Sequence, residues 1–161
     1  MNRVEVRRVA RALGRVAAPG TVVGLEGELG AGKTFFVEAL ARGLGVPRSV
    51  AVTSPTFTIV HVVPRGRLVL YHVDLYRLDR EADLGELGLE EMLYGEGVTA
   101  IEWWSRLGAA RPDDALVVRI EVRGAREREL EVEASGKIAT EVWQRWRKAT
   151  AAMGLVLKGP A

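Results

Sequence analysis

The chain has 161 residues, a formal net charge of +2, no cysteine and two histidines, which excludes disulfides, thiolate metal centres and cysteine nucleophiles and leaves too few soft ligands for a zinc site. Its 48% hydrophobic and 27% charged residues are ordinary for a globular domain, its small net charge supplies no global basic field for nucleic acid, and its apolar runs fall short of the roughly 20 residues that span a bilayer. One domain over residues 1–161, cytoplasmic and without a membrane contact, is expected.

Residues 4–17 predict an amphipathic helix, with Val6, Val9, Ala10, Leu13 and Val16 on one face. Arg7, Arg8, Arg11 and Arg15 lie mostly on the other. A solvated face accounts for them, and contact with RNA or an acidic partner competes with that reading. Pro19-Gly20 turns the chain into TVVGLEG, residues 21–27, an apolar β-branched run of the kind that makes a buried strand.

GELGAGKT, residues 27–34, follows at once. The spacing Gly27-x-x-x-x-Gly32-Lys33-Thr34 is that of a phosphate-binding loop. Its glycines let backbone N–H groups turn towards an anion, and the helix expected over 33–45 adds its positive end. Lys33 would reach the β- and γ-phosphates of a nucleotide, and the Thr34 hydroxyl would ligate magnesium.

Residues 50–63 and 68–78 are β-rich, and PRGR between them is a turn signal, so a hairpin or two adjacent strands is expected. The TSPTF stretch, 53–57, offers hydroxyls that could order on a γ-phosphate, though Ser-Pro-Thr is also a good turn. Residues 79–94 are acidic and leucine-spaced and predict one or two short helices. Residues 98–104 read as a strand, 115–122 with 128–134 as a hairpin, 137–153 as a helix, and the remainder as a tail. Trp143 and Trp146 are expected to pack, with partner docking as the alternative. Strands and helices mixed around the loop predict an α/β fold: a P-loop NTPase-type sheet flanked by helices, with antiparallel strands added late and a C-terminal helix.

Phosphate chemistry needs an acid for magnesium or for the attacking water. Asp74 ends the apolar run LVLYHV and Glu102 ends VTAI, so both are candidates beside Lys33 for the catalytic set. Which of the two orients the water stays open. No arginine is placed by sequence to stabilise the transferring phosphoryl, so turnover alone should be slow and a partner could supply the missing group.

GELGAGKT, TSPTFTIV, YHVDLYRL and IEW, in this order and at these spacings, resemble the bacterial TsaE family. That resemblance implies the ATPase of the machinery that makes the threonylcarbamoyladenosine modification on tRNAs reading ANN codons. It implies ATP or ADP with magnesium as cofactors, TsaD and TsaB as protein partners, and tRNA reached through their complex. Carried onto this chain, Leu29, Gly30, Ala31, Gly32, Lys33, Thr34 and Phe35 would surround the phosphates, and Thr34 and Glu102 would ligate magnesium. Thr53, Ser54 and Thr56 would form the loop near the γ-phosphate, with Trp103 beside the nucleotide, or simply packed at the strand end, and Arg126 approaching the nucleotide from the late hairpin. The chain departs from the family pattern at His61 and Trp104, and residues 137–161 have no clear counterpart. A small-molecule kinase and a nucleotide-gated switch without useful hydrolysis are the competing functions. A direct tRNA binder using the arginine face of residues 7–15 is a third.

Overall fold

A computed structural model describes residues 1–55, 59–78 and 87–161. Helix α1 runs over Arg3–Val16, β1 over Val22–Glu26, α2 over Lys33–Gly43, β2 over Val60–Val63 and β3 over Leu70–Asp74. Then come α3, Leu89–Tyr94, and β4, Val98–Glu102, followed by a 3₁₀ segment over Trp104–Ala110. The chain continues with β5, Ala115–Gly124, β6, Glu127–Ser135, and α4, Lys137–Ala151.

The six strands form one sheet in the order β2-β3-β4-β1-β5-β6. Its four central strands are parallel, and β2 and β6 pair antiparallel at the two edges. The centre explains the continuous apolar runs at 21–25 and 98–101: parallel strands are covered on both faces. Val22, Val23 and Leu25 are all buried, as are Val98, Ala100 and Ile101. One face packs against α1, α2 and α4, in a core that includes Phe36, Leu40, Leu116 and Trp146. The other face holds Val73, Leu93, Ile101, Trp104 and Leu107 under α3 and the 3₁₀ segment.

The expected helices at 4–17, 33–45 and 137–153 and both expected strand pairs are present. Among the described residues of the β-rich stretch 50–63, only Val60–Val63 is strand, however; residues 51–55 carry no regular structure. Pro55 cannot donate to a ladder, and the Ser54 hydroxyl bonds to Asp74 instead. Thr56 and residues 79–86 lie outside the described residues. The expected tail is not loose: Leu155 and Leu157 are buried, and the Lys158 carbonyl accepts from the Val132 N–H on β6 at 2.8 Å. Trp143 and Trp146 are core residues, 2% and 0% exposed, which removes them as a docking surface. Among the described residues no helix is long and apolar enough to cross a membrane.

Candidate functional site

Open α/β sheets bind ligands beyond the carboxyl ends of their parallel strands. In this sheet β1, β3 and β4 all end on one edge, in the register Leu25–Glu102 and Asp74–Glu102. The glycine-rich loop leaves β1 at that edge and returns as α2. Gly30 and Gly32 have φ of +80° and +111°, values that an L side chain resists, so their spacing shapes the loop before any ligand arrives.

The structure therefore brings Lys33, Thr34, Asp74 and Glu102 together from three separate places in the chain: the start of α2 and the ends of β3 and β4. The Thr34 hydroxyl donates to Glu102 Oε1 at 2.8 Å. Glu102 is 3% exposed, and the same oxygen lies 2.7 Å from His72 Nε2. A carboxylate only accepts, so His72 Nε2 carries the proton of that bond. Asp74 is held twice, by the Ser54 hydroxyl at 2.6 Å and by the Tyr76 N–H at 3.0 Å.

Lys33 is buried, and its ammonium donates to the carbonyls of Gly27 and Glu28 at 2.6 and 3.0 Å. It also lies 3.9 Å from the centre of the Trp103 ring. Burial lowers the Lys33 pKa from its ordinary value, while Glu102 first, then Glu26, Asp74 and Glu28, pull it back up. A desolvated cation held only by carbonyls and a ring has much to gain from an entering anion. Trp103 reaches this position because it turns the chain at φ +62°, a left-handed conformation uncommon for a bulky residue. Its ring lies 5.0 Å from that of Tyr76.

A cleft of about 640 Å³ opens beside the loop, walled by Gly30, Ala31, Gly32, Phe35, Arg3 and the turn of the β5–β6 hairpin. Arg126 lines it. The arginine that touches the loop is its neighbour Arg128, whose Nε donates to the Ala31 carbonyl at 2.9 Å. Leu29 projects outward, 73% exposed, and Thr53 is exposed as well. The Phe35 ring sits under the guanidinium groups of Arg3 and Arg7, at 4.6 and 5.1 Å.

Two site residues escaped the sequence reading. His72 is a lone histidine in an apolar strand, and only its place two residues before Asp74, on the same strand face, signals it. Arg128 was masked by the run of charges around it.

The hydroxyl of Thr34 and the carboxylates of Glu102 and Asp74 are hard oxygen donors suited to magnesium. Among the described residues no cluster of three or more His, Cys, Asp or Glu forms a self-sufficient metal cage.

Comparison with known proteins places this geometry in a family. A model of "Threonylcarbamoyl adenosine biosynthesis protein TsaE" matches residues 1–130. The chain is 41% identical to a tRNA threonylcarbamoyladenosine biosynthesis protein TsaE of Bacillus subtilis, over 84% of each chain. It is 41% identical to one of Treponema pallidum, over 80% of this chain and 93% of the relative. Its fold matches the crystal structure of Bacillus subtilis YdiB with a TM-score of 0.78 at 35% identity, over 92% of this chain and 90% of that one. The match begins at the first helix and so takes in both walls of the cleft beside the loop: the chain belongs to the TsaE family.

Proposed function

We propose that this chain is a magnesium-dependent ATPase of tRNA threonylcarbamoyladenosine biosynthesis, working with TsaD and TsaB. The pathway rests on the family. The chemistry rests chiefly on one observation, the bond between the Thr34 hydroxyl and Glu102 at the loop's exit, with Asp74 in register beside it.

Loop amides and Lys33 bind the phosphates, and Lys33 exchanges its carbonyl partners for phosphate oxygens. The cleft at Phe35, Arg126 and Arg128 takes the nucleoside. Thr34 and Glu102 would hold magnesium, which would supply neutralisation of the charge that develops on the phosphates. Thr34 would offer an oxygen lone pair to the metal while its hydroxyl proton goes on donating to Glu102. Because Glu102 Oε1 already accepts from Thr34 and His72, Glu102 serves the metal side. Asp74, less buried and braced by Ser54 and the Tyr76 amide, orients the attacking water and accepts its proton.

The test is steady-state ATP hydrolysis by the chain alone and with TsaD–TsaB, comparing wild type with Lys33→Ala and Glu102→Ala. Slow activity that rises with the partners and falls at least about 100-fold in both variants is expected. Activity that survives both substitutions, or brisk transfer to a small-molecule acceptor, would overturn the reading. Tight ATP binding with no hydrolysis under any condition would make the protein a passive switch.

A further inference from the structure

A second cleft, of about 500 Å³, runs along the groove between α1 and α2, outside the site described above. Arg7, Arg11, Glu38, Arg42 and Arg48 line it. Arg42 is already committed, donating to the carbonyls of Val46, Pro47 and Val50, so it fixes the loop and leaves its charge in the cleft. Among the described residues none of Arg7, Arg11 or Arg48 pairs with a carboxylate. Arg11 Nε is buried and has no hydrogen-bond partner among the described residues. Native structures rarely leave a buried N–H that way without a reason.

The charge here is local. α1 and residues 35–50 hold seven arginines against Glu5 and Glu38, while the whole chain is only +2. The remainder of the molecule is therefore net negative, and a small total conceals a strongly positive groove. The apolar groups in the groove offer no anchor for a protein interface: Ala39 and Val46 are buried, and Arg3 and Arg7 cover the Phe35 ring. Unpaired guanidinium forks without an apolar anchor suit a phosphate backbone.

We propose that the α1–α2 groove binds the phosphate backbone of RNA directly, through Arg7, Arg11 and Arg48. The choice of RNA rests on the family's place in tRNA modification. The groove itself is independent of the ATPase reading.

The experiment is fluorescence anisotropy of a labelled, unmodified tRNA transcript with the full chain, between about 50 and 200 mM salt. The Arg11→Glu/Arg48→Glu variant should bind at least about tenfold more weakly, with a salt slope shallower by about two. Arg11→Gln/Arg48→Gln, which keeps side-chain bulk, should fall between. A charge-matched control on α4, Arg145→Glu/Lys148→Glu, should stay close to wild type. Circular dichroism and ADP binding should be unchanged in the groove variants. Lys33→Ala should keep tRNA binding, which separates failure of this inference from failure of the ATPase reading. The inference is overturned if wild type binds tRNA without salt dependence or not at all. It is overturned too if the groove variants match the control, or if they lose TsaD–TsaB while tRNA affinity is untouched, since the groove would then serve an acidic protein surface.

Discussion

At the scale of single residues, the Glu102 carboxylate owes its orientation to two donors on one oxygen, Thr34 from the loop and His72 from the neighbouring strand. His72 is fully buried, and its other ring nitrogen has no partner among the described residues, where the imidazole's one polar commitment is to Glu102. Replacing it by Leu fills similar space and frees the carboxylate to rotate. Losing an outer partner of a metal-side ligand costs roughly 10- to 100-fold in metal affinity or activity. His72→Leu should therefore raise the magnesium concentration needed for half-maximal ATPase activity by about that factor. Nucleotide affinity measured in chelator should not move. His72→Gln, which can present an N–H to the same oxygen, should recover part of the loss. An unchanged magnesium dependence in the Leu variant would mean that His72 only fills space. Asp74 and Glu102 were legible because each ends an apolar run with a carboxylate. His72 was not, because strand pairing places it and no local pattern does.

Among the elements, α1 and α2 cross closely enough that two glycines carry the contact. A Cβ on Gly14 would lie 2.1 Å from the Leu40 carbonyl oxygen, and one on Gly43 would lie 2.2 Å from that of Arg11. Alanine is the better helix former by about 1 kcal/mol, so helix propensity alone predicts that Gly14→Ala stabilises the protein. The contact reverses the sign. The obstructing atom is backbone, and overpacking costs typically 1–3 kcal/mol and more where nothing can yield. A net loss of about 2 kcal/mol or more is expected from urea unfolding, with reduced nucleotide affinity, since α2 begins at Lys33 and Thr34. An unchanged midpoint would show a looser crossing. Helical periodicity located both helices in the sequence, but it treats Gly14 as a weak point of α1. Only the crossing shows why glycine belongs there. The stretch 51–55 failed as a strand for a related reason: β-branched residues favour extended backbone, yet the side-chain bond from Ser54 to Asp74 and the proline decide what that backbone pairs with.

For the whole molecule, composition and the strand-loop-helix rhythm made the fold class legible, while the strand order was not, because β4 inserts between β1 and β3 only through long-range pairing. The same limit hid the role of the last residues. Residues 155–161 look like a tail because they are short and end in Gly-Pro-Ala, but they complete an edge. Leu155 and Leu157 are 8% and 7% exposed, the Lys158 carbonyl accepts from β6, and the Trp143 indole N–H donates to the Pro160 carbonyl at 3.0 Å. Trp143 in turn meets Trp146, which packs edge-on against Phe36 of α2, so the segment joins a chain of aromatic contacts that reaches the helix carrying the loop. Burying two leucines is worth roughly 1.5–3 kcal/mol each, against a total stability of about 5–15 kcal/mol. Ending the chain after Gly154 should therefore leave a folded but weakened protein, with a Tm lower by roughly 10 °C, since each kcal/mol moves a domain of this size by about 2–4 °C. It should also expose part of the β6 edge, so size-exclusion chromatography should show concentration-dependent association. Nucleotide affinity below the new transition should match wild type, because none of the loop, Asp74 or Glu102 contacts involves these residues. A Tm within a degree or two of wild type would mean that the segment rests on the sheet without supporting it.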